Sequence, residues 1–363
     1  MENDAPIPLP QGLRTRARGA LDNASGRFEQ RTREGAHDGW DLPEDDRLLR
    51  TEVTLERARS AISYNKSPDL PFDRSINPYR GCEHGSIYCF ARPSHAYLGL
   101  SAGLDFETRL IARPGIGAVL DTELRHARYR PATIAIGTNT DPYQPIDAQH
   151  RVMREVLEVL SAHNHPVAIT TKGTLVERDI DLLAPMAAKG LAAVGVSVTT
   201  LDVGLSRSLE PRAALPARRL ATIRALADAG IPVRAMVAPV IPGLTDHELE
   251  PILTACRDAG AKTARWIALR LPLEVSPLFR AWLEARVPGR AAKVMGRVRD
   301  MHGGRDYDPD WATRMTGQGI WSDLLAQRFA KACARLGLDR TPDRLRCDLF
   351  RPPPRSGDQL SLF

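Results

Sequence analysis

Lysine is scarce in this sequence. Of 50 basic residues only Lys66, Lys172, Lys189, Lys262, Lys293 and Lys331 are lysine, and the rest are arginine. The formal net charge of +6 permits contact with nucleic acid without requiring it. The arginine excess fits either a coding bias or selection for phosphate binding, and charge alone does not decide between them. Also missing is any apolar run near the roughly 20 residues that a bilayer-spanning helix needs, so no membrane partner is expected. Met1–Gln11 is acidic and proline-rich without an apolar stretch, which is not the pattern of a secretory signal. Cysteine is sparse, and the count of five is odd. That argues against a disulfide framework and for a reducing cytoplasm. Repeats of the solenoid kind are absent.

What is present suffices for one large core, or a core with appendages. The hydrophobic fraction is 43% over 363 residues. Residues 1–50 are polar and read mostly as a flexible tail, in which the patch Arg18–Phe28 either stays solvated or docks on the body or a phosphate backbone. Residues 51–288 alternate apolar strand-like runs with amphipathic helical ones. The strand candidates lie near Ser75–Asn77, Thr133–Gly137, Val167–Thr171, Ala193–Val198, Val233–Ala238 and Arg265–Leu269. Helical patterns fill the gaps, and stop signals such as Gly190, Gly230-Ile231-Pro232 and Gly260 separate them. Six alternations without reversal predict an α/β fold with parallel strands, a partial (β/α)6 barrel rather than a closed eight-fold one. Ligands in such folds sit at the carboxyl ends of the strands. A helical C-terminal extension follows over 289–350, and 351–363 reads as a proline-rich linker ending in a hydrophobic peptide.

The chemistry concentrates in Ser75–Leu100. Cys82 and Cys89 flank a short loop that ends in the aromatic Phe90. A cysteine at position 86 would complete C-x3-C-x2-C, a loop able to hold a 4Fe-4S cluster by three thiolates while leaving one iron open. Position 86 is serine. Asn77-Pro78-Tyr79-Arg80-Gly81-Cys82, Ile87-Tyr88-Cys89-Phe90-Ala91-Arg92 and Ser94-His95-Ala96-Tyr97 together resemble the radical S-adenosylmethionine (radical SAM) superfamily. Within it they resemble the branch related to spore photoproduct lyase, the DNA repair photolyase-like proteins. The resemblance runs from about Arg18 to the C-terminus.

The resemblance implies a 4Fe-4S cluster and SAM as cofactors, and an electron donor of the flavodoxin or ferredoxin type. Reductive cleavage of SAM would give a 5′-deoxyadenosyl radical that abstracts hydrogen from substrate. Cys82, Cys89 and the departing Ser86 are the metal-site positions, and Phe90 packs beside the cluster. Serine is a harder donor of far higher pKa than a thiolate. Three readings of Ser86 stand side by side. It leaves a serine-ligated or incomplete cluster with reduced activity, it is a substitution introduced into an otherwise working sequence, or another donor such as His84 or an external thiol completes the site.

The remaining cofactor-binding positions follow the later strands. After the second come Asn139, Asp141 and Gln144, placed by the resemblance at the methionine amino group of SAM, with Tyr143 near the cluster; a proline-bounded turn is the bland reading. Lys172 ends the third strand and is expected at the SAM carboxylate, although a lone lysine is more often solvated. Ser197 and Thr199 end the fourth, followed by Arg207 and Glu210, and are assigned to the ribose and carboxylate of SAM. Val237 ends the fifth and is expected against adenine. Cys256, Cys333 and Cys347 read as core or incidental residues.

Gln359-Leu360-Ser361-Leu362-Phe363 resembles the pentapeptide with which bacterial replication and repair proteins dock on the DNA sliding clamp. Three apolar side chains entering a groove while Gln359 sets the register suit that task. The bland reading is a C-terminus folded back on the body. Two functions compete: a radical SAM lyase acting on nucleic acid in repair or modification, and a catalytically impaired accessory protein of DNA metabolism that docks on the clamp. A weaker third is a radical SAM enzyme of small molecules or proteins.

Overall fold

The fold comes from a computed structural model, which describes residues 17–28, 49–338 and 344–354. The strands are β1 Glu52–Leu55, β2 Ile62–Tyr64, β3 Arg74–Ile76, β4 Tyr79–Arg80, β5 Arg109–Ala112, β6 Ile134–Ile136, β7 Val167–Thr171, β8 Ala192–Ser197, β9 Val233–Val240 and β10 Thr263–Ala268. The main sheet has the order β10-β9-β8-β7-β6-β3-β2. Its six strands from β3 to β10 pair parallel, at the six places where the sequence pattern puts strands. The sheet does not close, so the architecture is a partial barrel. Ahead of these six, β2 pairs antiparallel with β3 and caps that edge.

Residues alternate between two environments along these strands. In β9, Val233, Ala235 and Val237 are buried against the outer helices, while Arg234, Met236 and Ala238 take the other side. The main core unites the outer faces of the strands with helices Ile116–Leu124, Val152–Ala162, Ile180–Ala188, Pro216–Asp228 and Leu249–Asp258. Each fully buried Val, Leu or Ile in it stabilises by about 1.5–3 kcal/mol.

A second core joins Ile87 and Tyr88 of the cysteine loop to Leu209, Leu269 and the helices Val275–Arg286 and Pro288–Met301. The first part of the C-terminal extension therefore braces the site. Trp282 Nε1 donates to Ser208 O at 3.1 Å across that contact. The later helix Gly319–Leu336 packs on Leu249–Asp258, where Arg328 grips Glu250. Residues 344–354 then cross the amino ends of the strands. Arg346 N bonds Gly190 O at 2.9 Å, and Phe350 sits among Tyr129, His163 and His165. The start of the proline run is laid on the body too, since Arg125 donates to Pro353 O at 2.8 Å.

Three strands lie apart from the main sheet, in the order β1-β5-β4, and with two to four residues each they carry too short a pattern to read. Of the readings kept open for the patch Arg18–Phe28 of the expected tail, docking on the body is the one seen at its first residues. Arg18, Gly19 and Ala20 are buried against the body, whereas Arg27 and Phe28 at the other end are exposed. The rest of that tail and the pentapeptide Gln359–Phe363 fall outside the described residues.

Candidate active site

The cysteine loop leaves β4 through Gly81, whose φ is 76° and whose missing side chain lets Leu110 and Phe106 approach; a Cβ there would lie 2.6 Å from Leu110 Cδ2. Cys82 N donates to Phe106 O at 2.9 Å. Gln144 clips the next residues from across the sheet. Its Nε2 donates to Gly81 O at 3.1 Å, and its Oε1 accepts from Glu83 N at 2.8 Å.

Behind the loop lies a wholly buried Arg92–Glu107 pair. Arg92 donates to the carbonyls of Ser86, Ala102 and Gly103, each at 3.0 Å. The Glu107 carboxylate also accepts from Gly19 N and Ala20 N at 2.9 Å, and Arg18 donates to Glu107 O at 2.9 Å. Gly19 packs so closely on Gly85 that a Cβ would lie 1.9 Å from Gly85 O. The N-terminal Arg-Gly-Ala patch is thus the back wall of the cysteine loop.

One cavity opens between this loop and the carboxyl ends of the parallel strands. Cys82, Ser86 and Cys89 line it together with His84, Tyr88, Phe90 and Phe106. The strand ends supply Gly137, Thr138 and Asn139 after β6, Lys172 after β7, Ser197 from β8, Ala238 and Pro239 from β9, and Arg270 after β10. Half-exposed Phe90 stands at its wall under the Arg270 guanidinium, 4.7 Å from the ring centroid.

Two buried carboxylates organise the strand ends. Asp141 accepts from Tyr143 N at 2.9 Å, Thr171 Oγ1 at 2.6 Å and Lys172 N at 2.7 Å. Its Oδ2 lies 3.4 Å from His84 Nδ1. Burial works against the Asp141 charge, but His84 and these hydrogen bonds hold the carboxyl down at about 2. Burial likewise opposes charge on His84, and Asp141 with the Cys82 thiol outweighs it and lifts the imidazole. Glu210 accepts from Tyr88 Oη, from Thr199 Oγ1 at 3.0 Å and from Arg219, its partner in an ion pair. Burial would raise the Glu210 carboxyl, yet Arg219 and then Lys172 keep it below its ordinary range. Lys172 Nζ lies 5.9 Å from the Tyr88 ring centroid. Burial, then the neighbouring Cys82, raises the Cys89 thiol against the pull of Arg92.

The structure brings Cys82, Ser86, Cys89, Phe90, Asn139, Asp141, Lys172 and Ser197 to this cavity. Other expected cofactor contacts lie elsewhere. Both amide ends of Gln144 are spent on the loop backbone, and Tyr143 is sunk in the main core. Thr199 lies past the end of β8, so strand alternation no longer governs it, and its hydroxyl turns to Glu210. Glu210 backs the wall through Tyr88 rather than lining it. Arg207 is exposed on the helix Val203–Leu209, and Val237 has the parity of the outer face; Ala238 and Pro239 reach the cavity instead. Tyr88 and Arg270 are cavity residues that the sequence pattern did not single out. Arg270 had only one signal, its place directly after the last strand candidate. Cys256 and Cys333 are in the main core, and burial pushes the Cys256 thiol up to about 12.

Comparison with known proteins agrees with this geometry. The family described as the radical SAM superfamily matches residues 76–256. The uncharacterized protein Rv2578c of Mycobacterium tuberculosis is 37% identical over 297 residues, covering 80% of this chain and 84% of that one. The uncharacterized protein MJ0683 of Methanocaldococcus jannaschii is 24% identical, over 54% of this chain and 71% of its own. In fold, the chain is similar to spore photoproduct lyase complexed with dinucleoside spore photoproduct, with a TM-score of 0.57 at 15% identity over 79% of this chain and 80% of that one. The chain belongs to the radical SAM superfamily. That membership implies a 4Fe-4S cluster and SAM, and a mutant of the same lyase with bound AdoMet has a TM-score of 0.53 to this chain. The donors facing the cavity suit such a cluster at two thiols, Cys82 and Cys89, with a hydroxyl at the third position. Among the described residues no three His, Cys, Asp or Glu side chains are arranged to hold a single ion.

Proposed function

We propose that this protein is a radical SAM enzyme acting on nucleic acid, in repair or modification. The observation that carries the reading is one cavity in which Cys82, Ser86 and Cys89 face Asn139, Lys172 and Ser197 at the carboxyl ends of parallel strands. A cluster held at Cys82, Cys89 and position 86 would supply the electron for reductive cleavage of SAM, delivered to it by a flavodoxin- or ferredoxin-type protein. The chain itself holds and orients. The Lys172 ammonium offers charge to the SAM carboxylate, Asn139 a polar group to the amino end and Ser197 a hydroxyl to the ribose. Phe90, Phe106, Ala238 and Pro239 supply apolar walls that would exclude water from the bound cofactors.

Nucleic acid is favoured as substrate by three features: the net charge of +6, the clamp-like pentapeptide and the similarity in fold to a lyase solved with a dinucleoside photoproduct. Ser86 favours a second reading, an impaired accessory protein that docks on the sliding clamp. Anaerobic reconstitution of the full chain and of Ser86→Cys separates the two, read by iron and sulfide content, visible spectrum and SAM cleavage. Cluster and cleavage in both supports the enzyme. Cleavage only in Ser86→Cys supports the accessory protein, and a cluster in neither sinks the radical SAM mechanism for this chain. DNA binding is checked by its salt dependence, which is steep for phosphate contacts and absent if the substrate is a small molecule.

A further inference from the structure

We infer that His84, rather than Ser86, is the third protein ligand of the iron–sulfur cluster, with Asp141 as the carboxylate that orients it. This rests on the radical SAM reading of the cavity.

His84 lies in the same loop, between Cys82 and Ser86, and lines the same cavity while only 3% exposed. Its Nδ1 is buried without a hydrogen-bond partner and stands 3.4 Å from Asp141 Oδ2. A buried, unpaired ring nitrogen is costly unless something else fixes the ring. The final torsion of a histidine is broad, so a small rotation turns the contact into a hydrogen bond. Asp141 is not free to follow, because Tyr143 N, Thr171 Oγ1 and Lys172 N hold both its oxygens. The His84 backbone is fixed as well, with its carbonyl accepting from Arg212 N at 3.2 Å.

Metal-bound histidines almost always donate their other ring N–H to a carboxylate or carbonyl, and this fixes which nitrogen binds. With Nδ1–H turned to Asp141, Nε2 is left to bind iron, which there takes the place of the proton that Asp141 and Cys82 favour on the metal-free ring. Imidazole is an attested replacement for thiolate on an iron–sulfur centre, whereas a serine oxygen is harder and far less acidic.

The test uses the full chain reconstituted anaerobically with iron and sulfide, without SAM, whose own amino nitrogen would confuse the signal. Pulsed EPR of the reduced sample should show a strongly coupled nitrogen that changes when the protein carries 15N-histidine. His84→Gln should lose that coupling, and Ser86→Ala should keep it. Asp141→Asn should keep it while iron affinity falls about 10- to 100-fold. A cluster in the natural chain without strong nitrogen coupling overturns the inference, as does one that survives His84→Gln and is lost in Ser86→Ala. If only Ser86→Cys takes up iron and sulfide, the inference falls, while the loop stands as a cluster site that Ser86 disables in this chain. If neither chain does, that reading falls first.

Discussion

Arg92 does two jobs at once, binding the Ser86 carbonyl in front and Glu107 behind, and both members of the ion pair are fully buried. Removing one partner of such a pair leaves an uncompensated buried charge, which costs about 3–5 kcal/mol. Arg92→Ala should therefore lower stability by that amount in urea unfolding; a loss near 1 kcal/mol would show that the pair bears little. Histidines set the acid limit. Burial holds His95, His165 and His302 below their usual pKa, His165 at about 4. A folded-state pKa below the unfolded value near 6.5 means that the unfolded chain binds the proton more readily. The stabilisation is complete above pH 6.5 and declines as the pH falls toward 4, by about 3 kcal/mol for His165 alone. Unfolding midpoints measured between pH 7 and 4.5 should fall, and His165→Gln should flatten that decline.

Glycines at element ends decide how close the walls of the cavity come. Gly137, with φ 86°, ends β6 where a Cβ would lie 1.9 Å from Thr170 O. Gly137→Ala should cost about 2 kcal/mol or more, from left-handed backbone and displaced β7 together, and weaken SAM binding measured by calorimetry. An unchanged melting temperature would refute this. The elements themselves were legible where pattern is long. VAITT in β7 and VRAMVAPV in β9 alternate at period two between flanking turn signals, and each appears where the pattern puts it. The same alternation, read one residue further, would have shown Val237 facing the helices. Beyond the last strand residue no period applies, and so the destinations of Tyr143, Gln144 and Thr199 were not readable from their spacing.

At the scale of the molecule, distant segments meet behind one loop. Residues 18–20 are bound to Glu107, and the helices Val275–Arg286 and Pro288–Met301 pack against Ile87 and Tyr88 through the second core. Deleting residues 1–28 should therefore lower the iron content on reconstitution as well as the melting temperature, whereas deleting only 359–363 should leave both unchanged and abolish capture by a sliding clamp. Binding that survives the shorter deletion would remove the clamp from the proposal. Local pattern was sufficient for the parallel strands, the paired cysteines and the serine between them, because periodicity and motif spacing depend on neighbours along the chain. Packing alone determined that Arg18–Ala20 closes the back of the site, that Gln144 serves the loop and that His84 faces Asp141. Those contacts join residues far apart in sequence, and only the burial of opposite charges and unpaired amides in one dry interior selects them.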